Sequence, residues 1–242
     1  MDRSHSFDWS GIRLLSFDTF GTLIDWERGL LAAAPAFADI DDDVLLAAFG
    51  DLELAVQSEQ PTLTYRTVLG VVYDRLCERF AIDPSTEQRR RFADSVPAWP
   101  PFDDTRDALD YLRQHYFIVT LTNCDRASYA GAISQLRVDW DAVYTAEDIG
   151  SYKPNLRNFQ HLLESVRRDF RVLPSELLHV AQSLTHDHVP ATTMGLKNCW
   201  VDRRGNRGGG ATAAPRGNYE LAMTVPSMAA LVEEHRRWRK AT

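Results

Sequence analysis

Four polar signals in this chain have residue types that could do covalent chemistry: Asp18, the pair Thr122-Asn123, Lys153 and Asp187. A carboxylate can serve as nucleophile or base. An ammonium beside it favours the ionised form and opposes developing negative charge, while hydroxyl and amide groups orient a polar substrate. Each signal alone also has a plainer use. An aspartate after an apolar run is often a helix cap or turn former. A lysine before proline, as in Lys153-Pro154, is usually a solvated loop residue. The four gain weight together, because each falls at or beyond the end of a run that reads as a strand.

The elements that must position them follow from the hydrophobic pattern. Residues 12–17 form an apolar run, interrupted by Arg13, that ends at Asp18 and a glycine-containing turn. Strands are expected at 117–121, 142–145, 177–181 and 198–202. Helices are expected at 105–115, 127–136 and 155–170, with a short one from near Asp187 to Met194. Such alternation implies βαβ units and a parallel sheet with helices on both faces. The reactive crevice of an open parallel sheet lies beyond the carboxyl ends of its strands. The four signals therefore converge there.

From residue 26 to about 92 there is no strand pattern. Leu45, Leu46, Phe49, Leu52 and Val56 recur at helical spacing, as do Val68, Val72, Leu76 and Phe80. Trp99-Pro100-Pro101-Phe102 marks the return to alternation. The expected architecture is an α/β fold, with a Rossmann-like parallel sheet core from residues 1–25 and 100–242 and an inserted helical cap from 26–99. Residues 203–217, with Gly208-Gly209-Gly210, read as a mobile loop, and 227–240 as a closing amphipathic helix.

Composition narrows the class without naming a reaction. The chain has 242 residues, 44% hydrophobic and 25% charged, within the range of globular domains. A formal net charge of −7 argues against a nucleic-acid partner. No apolar run approaches the roughly 20 residues of a membrane span, and the first ten residues lack the apolar stretch of a secretory signal. Cys77, Cys124 and Cys199 are scattered, with neither disulfide-framework nor zinc spacing. A reducing cytoplasm is the expected compartment.

Read in order, the motifs resemble those of the haloacid dehalogenase superfamily. Phe17-Asp18-Thr19-Phe20-Gly21-Thr22-Leu23 is similar to its first motif, and Leu121-Thr122-Asn123 to its second. Tyr152-Lys153-Pro154 is similar to the third, and Val180-Ala181-Gln182-Ser183-Leu184-Thr185-His186-Asp187 to the fourth. Phosphatases of the superfamily carry a second aspartate two residues after the nucleophile, as general acid for the leaving alcohol. Here that position is Phe20, which has no proton to exchange. The fourth motif has Ala181-Gln182 where a magnesium-binding carboxylate is usual, so magnesium would bind poorly. Both departures, together with Asp25-Trp26, resemble the L-2-haloacid dehalogenase branch.

That resemblance implies hydrolysis of a short 2-haloacid to a 2-hydroxy acid with no metal or other cofactor. Asp18 would attack carbon, Lys153 would keep it ionised, and Asp187 would position Lys153 and the hydrolytic water. Thr122, Asn123 and backbone amides of the turn at Thr19 and Phe20 would hold the substrate carboxylate. The branch often supplies a halide-binding arginine from the cap. Gly50 stands at that place, and Arg66 from the neighbouring cap helix is the candidate substitute. The resemblance also suggests a homodimer through the cap. Two rivals are a phosphatase on the same fold and a catalytically silent scaffold. Phe20, Trp26 and Tyr65 are candidates to wall a pocket. His186 and His188 diverge around a helix start and are read as pocket-lining or structural, and Cys124 as a small buried thiol.

Overall fold

In the computed structural model, which describes residues 7–205, 215 and 217–242, the core is a six-stranded sheet. Its strands are β1 (Leu14–Phe17), β2 (Phe117–Thr122), β3 (Ala142–Thr145), β4 (Leu177–Ala181), β5 (Lys197–Val201) and β6 (Met223–Val225). They lie in the order β3-β2-β1-β4-β5-β6, every neighbouring pair parallel. β1 and β4 are buried throughout, as strands covered on both faces must be. Alternation along β1 divides the core: Leu14 joins the apolar cluster on one face, Leu15 and Phe17 the cluster on the other. Strand order reverses between β1 and β4, which opens a crevice beyond their carboxyl ends.

Between β1 and β2 the chain forms α1 (Trp26–Ala33), α2 (Asp42–Glu59), α3 (Tyr65–Phe80) and α4 (Thr86–Ala93). Asp25, Asp41, Thr64 and Ser85 each accept a backbone N–H from the first turn that follows, which fixes where the four helices start. α2 buries Leu45, Phe49 and Val56, and α3 buries Val68, Val72 and Leu76. This helical insert meets the sheet through aromatic rings: Phe20 lies edge-on to Trp99 at 5.1 Å and stacks on Tyr65 at 6.0 Å.

The remaining helices are α5 (Thr105–Leu112), α6 (Arg126–Ser134), α7 (Ala146–Ile149), α8 (Leu156–Phe170), α9 (Val189–Thr193) and α10 (Met228–Ala241). α8 covers one sheet face with Phe159, Leu162 and Val166. α5 and α10 cover the other with Leu109, Leu112, Leu231 and Val232.

Two local expectations are corrected. The turn after β4 coils from Leu184 to His188, with the Ser183 hydroxyl accepting the His186 N–H at 3.0 Å. The helix expected from near Asp187 begins at Val189, and Asp187 sits inside the turn before it. β6 is an additional strand. Of the expected 203–217 loop, residues 206–214 and 216 lie outside the described residues. Arg203, at its start, is anchored: it donates to Asp104 at 2.8 Å and to the Thr22 carbonyl, and stacks 4.1 Å over Phe102. Among the described residues no helix is long and apolar enough to cross a membrane.

Candidate active site

Asp18 follows β1 and Asp187 follows β4, so the two carboxylates flank the point where strand order reverses. Lys153 bridges them. Its Nζ donates to Asp18 Oδ1 at 2.8 Å, to Asp187 Oδ1 at 2.7 Å and to the Leu121 carbonyl at 2.9 Å, which uses all three ammonium protons. Lys153 is only 2% exposed. Asn123 sets its backbone: Asn123 Nδ2 donates to the Lys153 carbonyl at 3.0 Å, and Asn123 Oδ1 accepts the Lys153 N–H at 2.7 Å.

Each carboxylate has a second support. The Thr22 hydroxyl donates to Asp18 Oδ2 at 2.6 Å and accepts the Gln182 N–H at 2.9 Å. His179 Nε2 lies 3.0 Å from Asp187 Oδ1, and His179 Nδ1 lies 2.8 Å from the Ser16 hydroxyl. With the proton on Nε2, His179 donates to Asp187 and accepts from Ser16. Asp187 Oδ2 has no partner among the described residues. The turn after Asp18 needs a glycine. Gly21 has φ +87°, and a Cβ there would come within 3.1 Å of Gln182 Oε1 and 3.2 Å of Trp26 Nε1.

The environment separates the two acids. Burial pushes the Asp18 carboxyl up, Lys153 opposes it and Asp187 adds to it, leaving Asp18 above the ordinary aspartate value. Asp187 is buried too, but the Lys153 charge and the His179 N–H outweigh burial and hold it well below that value. Burial alone would lower Lys153; the two carboxylates outweigh it and raise the ammonium's pKa. Asp187 is thus the firmly ionised member and Asp18 the more basic one. Burial pushes His186 and His188 down to about 4, so both are neutral near pH 7.

A cavity of about 80 Å³ opens onto this cluster. Asp18, Phe20, Asn123, Lys153 and Asp187 line it, as do Trp26, Tyr65 and His186. Other site candidates fall elsewhere. Thr19 is buried, its hydroxyl 3.4 Å from the Tyr129 hydroxyl, and Thr122 is buried with its hydroxyl unpartnered outside the cavity lining. Arg66 is not at the cavity. Its guanidinium is more than half exposed and paired with Asp94 at 2.5 Å. His188 donates its Nε2–H to the Ala181 carbonyl at 2.9 Å.

Two groups escape sequence reasoning. His179 interrupts the otherwise apolar strand Leu177–Ala181, and a buried polar group in such a place must have a partner. Glu53 lies four residues after the buried Phe49, on the same helical face, and α2 carries it to the cavity wall. Among the described residues no group of three or more His, Cys, Asp or Glu side chains is placed to hold a metal ion.

With the carboxylate–lysine–carboxylate cluster in view, comparison with known proteins gives the family. The family model for haloacid dehalogenase-like hydrolases matches residues 12–184, and the chain belongs to that family. Its fold is similar to that of a dehalogenase solved as an intermediate complex, with 18% identity, a TM-score of 0.79, and coverage of 92% of this chain and 96% of the other. It is also similar to the L-2-haloacid dehalogenase PA0810, at 18% identity and TM-score 0.75, covering 93% of this chain and 99% of that one. A third likeness is the Xanthobacter autotrophicus L-2-haloacid dehalogenase with chloropropionic acid covalently bound, at 17% identity and TM-score 0.74, covering 93% and 98%. A search of curated proteins finds no match.

Proposed function

We propose that this hydrolase cleaves the carbon–halogen bond of a short 2-halo carbonyl compound, the 2-haloacids being the simplest members, through an ester on Asp18. The observation that carries the reading is the 2.8 Å contact between the Asp18 carboxylate and the buried Lys153 ammonium, at a cavity where Phe20 occupies the general-acid position of the phosphatases. An alkoxide leaving group needs a proton, and Phe20 has none to give. A halide leaves as a stable anion and needs none.

An Asp18 oxygen attacks the halogen-bearing carbon from the side opposite the halogen. The new C–O bond forms as the C–X bond breaks, and its electron pair departs on the halide. Lys153 favours the ionised nucleophile and stays beside it throughout. Water then attacks the ester carbonyl carbon, with the unpartnered Oδ2 of Asp187 as acceptor for its proton. The oxyanion that forms faces the Lys153 ammonium. The intermediate collapses by breaking the bond from the carbonyl carbon to the substrate oxygen. That oxygen takes the proton from Asp187 and leaves as the 2-hydroxy product; the second proton of the water, left on the Asp18 carboxyl, passes to solvent and restores the carboxylate. The covalently held chloropropionic acid of the Xanthobacter enzyme is chemistry of the same kind.

The test is free halide from 2-chloropropionate and 2-chloropropionamide. Release by the wild type, abolished by Asp18→Asn, supports the reading. No release from either compound, with magnesium-dependent turnover of p-nitrophenyl phosphate, would overturn it.

A further inference from the structure

The substrate's charge can be read from one wall of the cavity, on the understanding that this cavity carries the reaction just proposed. That wall comes from α2, through Gly50, Asp51, Glu53 and Leu54. Together with Asp18 and Asp187, it gives the cavity four carboxyl groups. Lys153 is the one cation among the described residues that line it, and its three protons are already committed. The nearby arginines are engaged elsewhere: Arg66 with Asp94, Arg203 with Asp104, and Arg204 with Glu27.

Glu53 is the acid best placed to read a ligand. Its Oε1 accepts the Tyr65 hydroxyl at 2.6 Å, which also uses up the phenol proton. Its Oε2 has no donor among the described residues. Burial pushes this carboxyl up to about 7, so it is mostly ionised at pH 8.5. Asp187, whose buried Oδ2 has no partner among the described residues, lines the same cavity. A ligand group that meets Glu53 must therefore bring a proton to donate. A carboxylate brings only lone pairs and a like charge.

We propose that Glu53 selects substrates whose group beside the reacting carbon is an uncharged hydrogen-bond donor, so that the enzyme takes 2-halo amides in preference to 2-haloacids, the amide N–H donating to Glu53. The carboxylate of a haloacid would sit against Glu53 with no uncommitted cation among the described lining residues to offset the repulsion.

The experiment compares kcat/KM for 2-chloropropionamide and 2-chloropropionate at pH 8.5, in the wild type and in Glu53→Gln. Like-charge repulsion at this range supports a preference of roughly tenfold or more for the amide. Glu53→Gln retains an acceptor for Tyr65 and adds a donor, so the preference should shrink about tenfold. A wild type that prefers the acid, or a ratio unchanged in the variant, overturns the proposal. Calorimetric titration with lactamide and lactate gives a readout independent of turnover. Tighter lactamide binding that Glu53→Gln erases supports charge selection even if no halide appears, in which case the reaction reading alone falls. Equal binding of lactate and lactamide by the wild type overturns charge selection even if halide is released.

Discussion

Replacing Lys153 with methionine keeps a side chain of similar length and removes the ammonium. Asp18 and Asp187 are then left buried around one gap with no cation between them. The two lost contacts are 2.8 and 2.7 Å long. At an effective dielectric near 20, each is worth about 6 kcal/mol of Coulomb energy before the lysine's desolvation is set against it. Removing one partner of a buried ion pair costs about 3–5 kcal/mol. Here Asp18 already binds its proton more tightly than usual and can neutralise, which holds the loss to about 3 kcal/mol at pH 8. For a chain of this size that is a fall in Tm of about 6–12 °C. The pH dependence has a definite sign. Without the ammonium, the folded carboxyls titrate above their unfolded value of about 4, so the variant loses stability as pH rises through the raised values. In the wild type Asp187 titrates below the unfolded value, and its contribution is present above about pH 4 and lost on acidification. The deficit is therefore largest at pH 8 and smaller at pH 5. Urea unfolding at both pH values measures it. A deficit below about 1 kcal/mol at pH 8, or one equal at the two pH values, would refute the reasoning.

Three further outcomes follow from the same geometry. His179→Leu removes the N–H donor to Asp187 and should slow ester hydrolysis about tenfold more than ester formation, seen as a burst of halide followed by a slower steady state; equal slowing of both steps counts against the role. Because burial raises Asp18, kcat/KM should fall on the acid side at a pH above the ordinary aspartate value of about 4, and a profile flat down to pH 4 contradicts this. Gly21→Ala should cost about 1–2 kcal/mol in urea unfolding, from the positive φ and the contacts with Gln182 and Trp26; a neutral substitution would show that the turn adapts freely.

Much of the core was legible because buried parallel strands are written as apolar runs. β1 and β4 end in polar motifs that stand out against them, so Asp18, Lys153 and Asp187 were visible as a set. β6 was not, since it has three residues and only Val225 is buried, too short and too exposed for a periodic signal. Arg66 shows a different limit. Its helix was readable, but its side chain pairs with Asp94, the residue that follows the end of another helix. Asn123 lines the cavity as well, and the contact its sequence position could not show is the pairing of its amide with the Lys153 backbone, 30 residues away in sequence. Glu53 was hidden for the converse reason: acids in helices are usually solvated, and only the tertiary placement of α2 makes this one line a cavity.

The ester on Asp18 is tested most directly by one turnover in H2(18)O, with enzyme in excess over whichever chloropropionyl compound it turns over faster. The account predicts heavy oxygen in the Asp18 side chain, seen in the mass of its peptide, and a product hydroxyl without the label. Label in the product hydroxyl with none on Asp18 would mean that water attacks carbon directly, and would contradict the account.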